Sequence, residues 1–90
     1  MAIVEREVEI VNSLGLHARP SAEFVKLASR FHANVQLSKD GMDVNGKSIM
    51  GVMTLAAECG SRLTLRVDGD DAEAAATALA DLVARGFSER

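Results

Sequence analysis

From Ala2 to Val11 the chain reads AIVEREVEIV, with Val4, Val8 and Ile10 on one side and Glu5, Glu7 and Glu9 on the other. Side chains alternate across a strand, so this period-two pattern predicts a half-buried strand. Arg6 shares the apolar side. It fits near a sheet edge, where its stem can lie on the core while its head reaches water. Asn12 to Gly15 (NSLG) reads as a turn. After it the period changes. Phe24, Leu27, Ala28 and Phe31 are spaced i, i+3, i+4, i+7, the mark of a helix with one buried stripe. Pro20 fits only in the first turn of that helix, where its missing N–H costs nothing. The helix therefore begins within a residue or two of His17 and Ala18. Lys26 and Arg30 lie toward its far end, where cations complement the dipole.

Val35 and Leu37 alternate with Asn34, Gln36 and Ser38, and Met42 and Val44 alternate with Asp43. Asp40-Gly41 between the two runs signals a hairpin, and Asn45-Gly46 ends its second arm. Lys47 to Ala57 (KSIMGVMTLAA) suits a short helix starting at Ser48, a good N-cap residue. Cys59-Gly60 breaks it. Ser61 to Asp68 (SRLTLRVD) is another alternating strand. Gly69-Asp70-Asp71 leads into a last helix with a stripe of Ala75, Ala78, Leu79 and Leu82. Asp70 with Glu73 resembles a capping box, and Arg85-Gly86 reads as the C-terminal end. The order β-α-β-β-α-β-α predicts an α+β fold, one largely antiparallel sheet with helices on one face.

Ninety residues are one domain's worth of chain, expected to span 1–90 without linker or repeat. A chain this short buries only about 60% of its unfolded surface, which favours a protein that presents a surface over one that encloses a ligand. The composition, 48% apolar and 26% charged, is that of a folded domain. A net charge of −3 argues against nucleic-acid binding, as does the absence of Trp and Tyr for stacking bases. The single cysteine, Cys59, can form neither an internal disulfide nor a zinc knuckle. With no leader and no apolar run near the roughly 18 residues that span a membrane, a cytoplasmic protein without membrane insertion is expected. No metal-ligand spacing, phosphate-cradling glycine loop or nucleophile elbow is present, so no metal or cofactor is expected.

His17 has the most chemical potential. The first turn of the helix after it carries unpaired N–H groups and the positive dipole end, which attract anions. An imidazole exchanges its proton near neutral pH, so an unprotonated nucleophile is available. Arg19 can balance charge on a transferring group. The plainer alternative is a cap or surface histidine. Ser48 is either an ordinary N-cap or a phosphorylation site, since a helix start tolerates a phosphate. Ile49, Met50, Val52, Met53 and Leu55 are more apolar side chains than one short helix can bury. They either form an exposed patch suited to several partners or fill a core short of aromatics. His32 reads as a helix-end residue balancing the dipole, and Cys59 as a small core or loop residue.

GLHARPSAEFVKLASRF is similar to the active-site segment of HPr, the histidine-containing phosphocarriers of the bacterial phosphotransferase system, and VNGKSIMGVMTLAAECG resembles that family's regulatory-serine segment. The resemblance covers nearly the whole chain. It implies an open-faced β-sandwich of four antiparallel strands and three helices. It implies that His17 is phosphorylated on Nδ1, assisted by Arg19, with Pro20 as the helix-start proline. The donor would be enzyme I, charged from phosphoenolpyruvate, and the acceptors EIIA proteins or domains. Ser48 would be modified by an HPr kinase/phosphorylase, bringing in transcriptional or metabolic regulators. Ala18, Pro20, Ser21, Lys47, Ile49, Met50 and Met53 would form the docking surface of a monomer. Such a chain is a phosphorylated intermediate of sugar transport rather than a self-standing enzyme. Two alternatives stay open: a nitrogen-branch paralogue, and a regulatory binding module switched at Ser48.

Overall fold

A computed structural model describes residues 2–88. Met1 and residues 89–90, the ends of the expected 1–90 domain, lie outside the described residues. The elements follow the expected order: β1 (Ala2–Glu9), α1 (Ala18–Ala28), β2 (Asn34–Lys39), β3 (Met42–Asn45), α2 (Ile49–Thr54), β4 (Arg62–Gly69) and α3 (Ala72–Ala84). A short 3₁₀ turn, Gly86–Ser88, follows.

The four strands form one antiparallel sheet in the order β1-β4-β2-β3. Register explains its two faces. Val4 lies opposite Val67, which lies opposite Val35, and Arg6, Leu65, Leu37 and Val44 form the next row. These rows face the helices and bury Leu37, Leu65 and Val67 almost completely. Burying each such side chain is worth roughly 1.5–3 kcal/mol. The opposite face carries Glu5 beside Arg66 and Glu9 beside Arg62. Ion pairs there (Arg62–Glu7 at 3.1 Å, Arg66–Glu5 at 3.9 Å) are solvent-exposed and contribute little. Arg6 sits on edge strand β1 as its position predicts, half-buried, with its guanidinium 3.3 Å from Glu73.

Helices cover one face of the sheet. In α1 the buried stripe is Pro20, Ser21, Phe24 and Ala28, with Leu27 and Phe31 only half-covered. In α3 the expected stripe is wider. Ala72, Ala75, Ala76, Leu79, Leu82 and Val83 are buried, whereas Ala78 is half-exposed. Small side chains at three of these positions let the helix axis approach the sheet closely.

The start of α3 corrects one reading. Its N-cap is Asp71, not Asp70, and no side chain caps it. The Asp71 carboxylate instead accepts the backbone N–H groups of His32 and Ala33, both at 2.8 Å. Glu73 turns to Arg6 rather than back to the cap. The connection between α1 and β2 has N–H groups in need of acceptors, and satisfying them takes precedence over the local box. His32 is likewise corrected. It lies beyond the end of α1, exposed, and is tied to Asp71 through its backbone.

The Asp71 carboxyl is held below the usual aspartate range. The His32 backbone hydrogen bond is the main cause, opposed by desolvation and helped by the Ala33 bond. A carboxyl lowered by folding contributes stability above its unfolded pKa and loses it as pH falls through the folded one. Asp71→Asn should therefore lower stability in urea titrations at neutral pH. Its deficit should shrink progressively on acidification, and a deficit independent of pH would contradict the assignment.

Candidate functional site

The chain reaches His17 through a tight turn. Asn12 is buried and its Nδ2 donates to the Gly15 carbonyl at 2.8 Å, while the Gly15 N–H donates to the Asn12 carbonyl at 3.1 Å. Gly15 holds a left-handed φ of +70°. A Cβ there would come within 2.3 Å of the Ala57 carbonyl oxygen, the atom that accepts the Leu16 N–H at 2.8 Å. Only glycine suits both the backbone angle and this approach. The loop is thus pinned to the segment just after α2.

His17 is the N-cap residue of α1, in extended backbone, and its carbonyl accepts the Ser21 N–H at 3.1 Å. Its imidazole is not used as a side-chain cap. No acidic residue stands in the first turn to neutralise the positive end of the helix. The N–H groups of Ala18 and Arg19 lie in that turn, where no earlier helical carbonyl exists to accept them. Pro20 fills a first-turn position as expected. A ring nitrogen, oriented N–H groups and the Arg19 guanidinium are thereby set around one helix end.

His17 and Arg19 line one open depression of about 680 Å³ with Ser13, Leu14, Glu23, Arg85 and Ser88, over apolar Leu82 and Phe87. Arg85 and Phe87 come from the far end of the chain, and no local pattern around His17 points to them. Leu14 is 74% exposed at the rim. Among the described residues there is no cluster of three or more metal-ligating side chains, and no helix is long and apolar enough to cross a membrane.

Ser48 stands apart from this depression, on α2. It is the N-cap of α2 and its hydroxyl accepts the Gly51 N–H at 3.1 Å. Asn45 organises the approach, accepting the Lys47 N–H on its side chain and the Ser48 N–H on its carbonyl. Of the apolar residues here, Val52 and Leu55 are buried. Met50, Ile49 and Met53 are exposed at 80%, 44% and 40% and form a patch on α2.

The expected docking residues therefore divide. Ala18, Ile49, Met50 and Met53 face solvent. Ser21 does not. It lies on the same helical face as Phe24 and Ala28, is fully buried, and donates its hydroxyl to the Leu16 carbonyl at 3.1 Å. Pro20 is buried too and contributes floor rather than rim. Lys47 directs its ammonium to the Phe31 carbonyl at 2.7 Å, tying the segment after α1 to the start of α2. Cys59 is an exposed loop residue, its thiol 3.7 Å from the Val11 carbonyl.

Comparison with known proteins extends this geometry. Residues 4–85 match the family described as "PTS HPr component phosphorylation site". The chain is 48% identical over 87 residues to the phosphocarrier protein HPr of Cupriavidus necator, covering 97% of this chain and 98% of that one. The crystal structure of HPr-C-His from Thermoanaerobacter tengcongensis superposes with a TM-score of 0.93 at 46% identity, covering 97% of this chain and 98% of the other. An HPr dimer from the same organism superposes with a TM-score of 0.78 at 48% identity, covering 91% and 94%. With an open sheet under three helices, in the same element order, and with this match over nearly its whole length, the chain belongs to the HPr phosphocarrier family of the phosphotransferase system.

Proposed function

We propose that this chain relays a phosphoryl group, taking it from phosphorylated enzyme I onto His17 and passing it to EIIA proteins or domains. The observation that carries this reading is the placement of His17 at the N-cap of α1, uncommitted to capping, with Arg19 on the same depression. A lone pair of the imidazole attacks phosphorus, an N–P bond forms, and the donor leaves with the electrons of its own bond to phosphorus. The other ring nitrogen keeps its proton. Arg19 and the first-turn N–H groups bind the equatorial oxygens, where charge gathers during transfer. The onward step runs the same chemistry in reverse. The group departs from the atom that received it, so the chain is an intermediate rather than a self-standing catalyst.

Ile49, Met50 and Met53, with Leu14 at the rim, supply apolar contact, and methionine's flexibility suits successive partners on one surface. Ser48 is the regulatory position. A phosphate there sits at the start of α2, so the fold tolerates it while the exposed patch beside it gains negative charge. An HPr kinase/phosphorylase would act on this serine, and transcriptional or metabolic regulators would read it. The whole chain acts as one cytoplasmic domain. The chain acts as a monomer in this scheme. Neither the sugar branch nor the nitrogen branch is singled out by His17.

Incubation with phosphoenolpyruvate and enzyme I should add one acid-labile phosphoryl group to the wild-type chain and none to His17→Ala, read by mass spectrometry. Equal labelling of both would sink the proposal. Label from ATP and the kinase, lost in Ser48→Ala, without transfer to any EIIA, would favour a purely regulatory module instead. Gly15→Ala should cost more than about 1 kcal/mol of stability through its incompatible backbone. It should also slow phosphoryl acceptance by on the order of 100-fold, because a misplaced nucleophile is a poor one. Thermal melting and the rate of label incorporation separate the two effects.

A further inference from the structure

Arg85 is the C-cap residue of α3 and lines the same depression as His17 and Arg19. Its position is built by an unusual backbone. Gly86, Phe87 and Ser88 follow it with φ of +63°, +57° and +60°. Left-handed backbone is free to glycine but disfavoured at Phe87 and Ser88, so surrounding contacts must hold it. Those contacts are visible. Phe87 is buried at 6% exposure. A Cβ added at Gly86 would lie 3.5 Å from Val11 Cγ2 and 3.7 Å from Asn12 Cβ, so the turn rests on the loop that leads to His17. The guanidinium is held at two points. Nε donates to Asp81 Oδ2 at 2.8 Å and Nη1 donates to Ser88 Oγ at 3.1 Å.

A guanidinium has five N–H donors in a rigid fork. Two are used in these bonds. Among the described residues no other acceptor engages it, and three donors remain. The charged side chains on the depression are Arg19, Arg85 and Glu23, with Asp81 behind Arg85. A phosphoryl group on His17 would bring a charge of about −1.5 to −2 into this space. One arginine, partly opposed by Glu23, leaves that charge under-compensated. A second, already oriented by Asp81 and Ser88, loses little freedom on binding it.

We infer that Arg85 is a second phosphoryl-binding arginine, contacting an oxygen of the group on His17 from the C-terminal end of α3. The inference rests on the phosphocarrier reading and names a residue of that same site. Its effect is to favour the phosphorylated form, and so to set how readily the group is received and released.

The test uses the full chain with phosphoenolpyruvate, pyruvate and enzyme I at a fixed substrate ratio. The fraction phosphorylated at equilibrium is measured for wild type, Arg85→Ala, Arg85→Gln and Arg85→Lys, together with the ³¹P NMR shift of the phosphohistidine. Arg85→Ala and Arg85→Gln should lower the ratio of phosphorylated to free protein about tenfold, the order expected for one charge-assisted hydrogen bond, and move the ³¹P signal. Arg85→Lys should recover part of the ratio by restoring charge. If Arg85 merely staples the C-terminal turn, the variants will melt earlier while ratio and ³¹P shift stay at wild-type values, and the inference is overturned. Arg85→Gln, which keeps a donor and most of the stem, serves where Arg85→Ala does not fold. A wild-type chain that takes no label overturns the phosphocarrier reading and this inference together. Normal labelling with unaffected variants overturns this inference alone.

Discussion

Where the chain leaves β1, the Leu16 N–H meets the Ala57 carbonyl at 2.8 Å, and the contact exists because residue 15 carries no Cβ. A good deal hangs on that approach. It fastens the loop before α1 to the segment after α2, so the two helices keep their places over the sheet. It also sets the point at which α1 can begin, and with it the orientation of the His17 backbone. The buried Ser21 hydroxyl adds a second tie, to the Leu16 carbonyl, from inside the first turn of the helix. The His17 backbone is thus fixed by the loop before α1 as well as by the helix that follows it.

Charge is divided between the two sides of the molecule. The net charge is −3. On the open face of the sheet Glu5, Glu7 and Glu9 meet Arg62 and Arg66 in ion pairs. The helical side has Arg19 and Arg85 on the depression and exposed Ile49, Met50 and Met53 on α2. Cations and apolar contact surface thus share one side, and self-paired charges occupy the other. Rim charges of this kind steer encounter and orientation more than they add affinity.

Much of this was legible in the residues because the elements are short and their periods clean. Alternation in β1 and β4 and the spacing of Phe24 and Ala28 placed strands and helix, and Pro20 located the start of α1 to within a turn. Of the candidate site, only positions with local chemistry, His17, Arg19 and Ser48, could be named from the residues. What escaped depends on pairing across the fold. Asp71 stands at the N-cap position of α3, yet its carboxylate serves the segment after α1 instead of the helix. Ser21 and Lys47 look like surface polar residues, but each has found a backbone carbonyl. Arg85 and Phe87 join the depression through a left-handed turn whose Phe and Ser positions no propensity favours.

The sheet order has a consequence for how the molecule comes into being. Edge strand β1 pairs only with β4 among the described residues, and β4 is also the partner of β2. On the ribosome β1 has no partner strand to join until β4, about 60 residues later, has been synthesised. The β2–β3 hairpin can form early, being local, but the long-range closure must wait. Because the loop before His17 is pinned by Ala57 and rests against Gly86, its setting is assembled only after α3 has been made. A nascent chain that stops short of Gly86 thus carries His17 without its full setting.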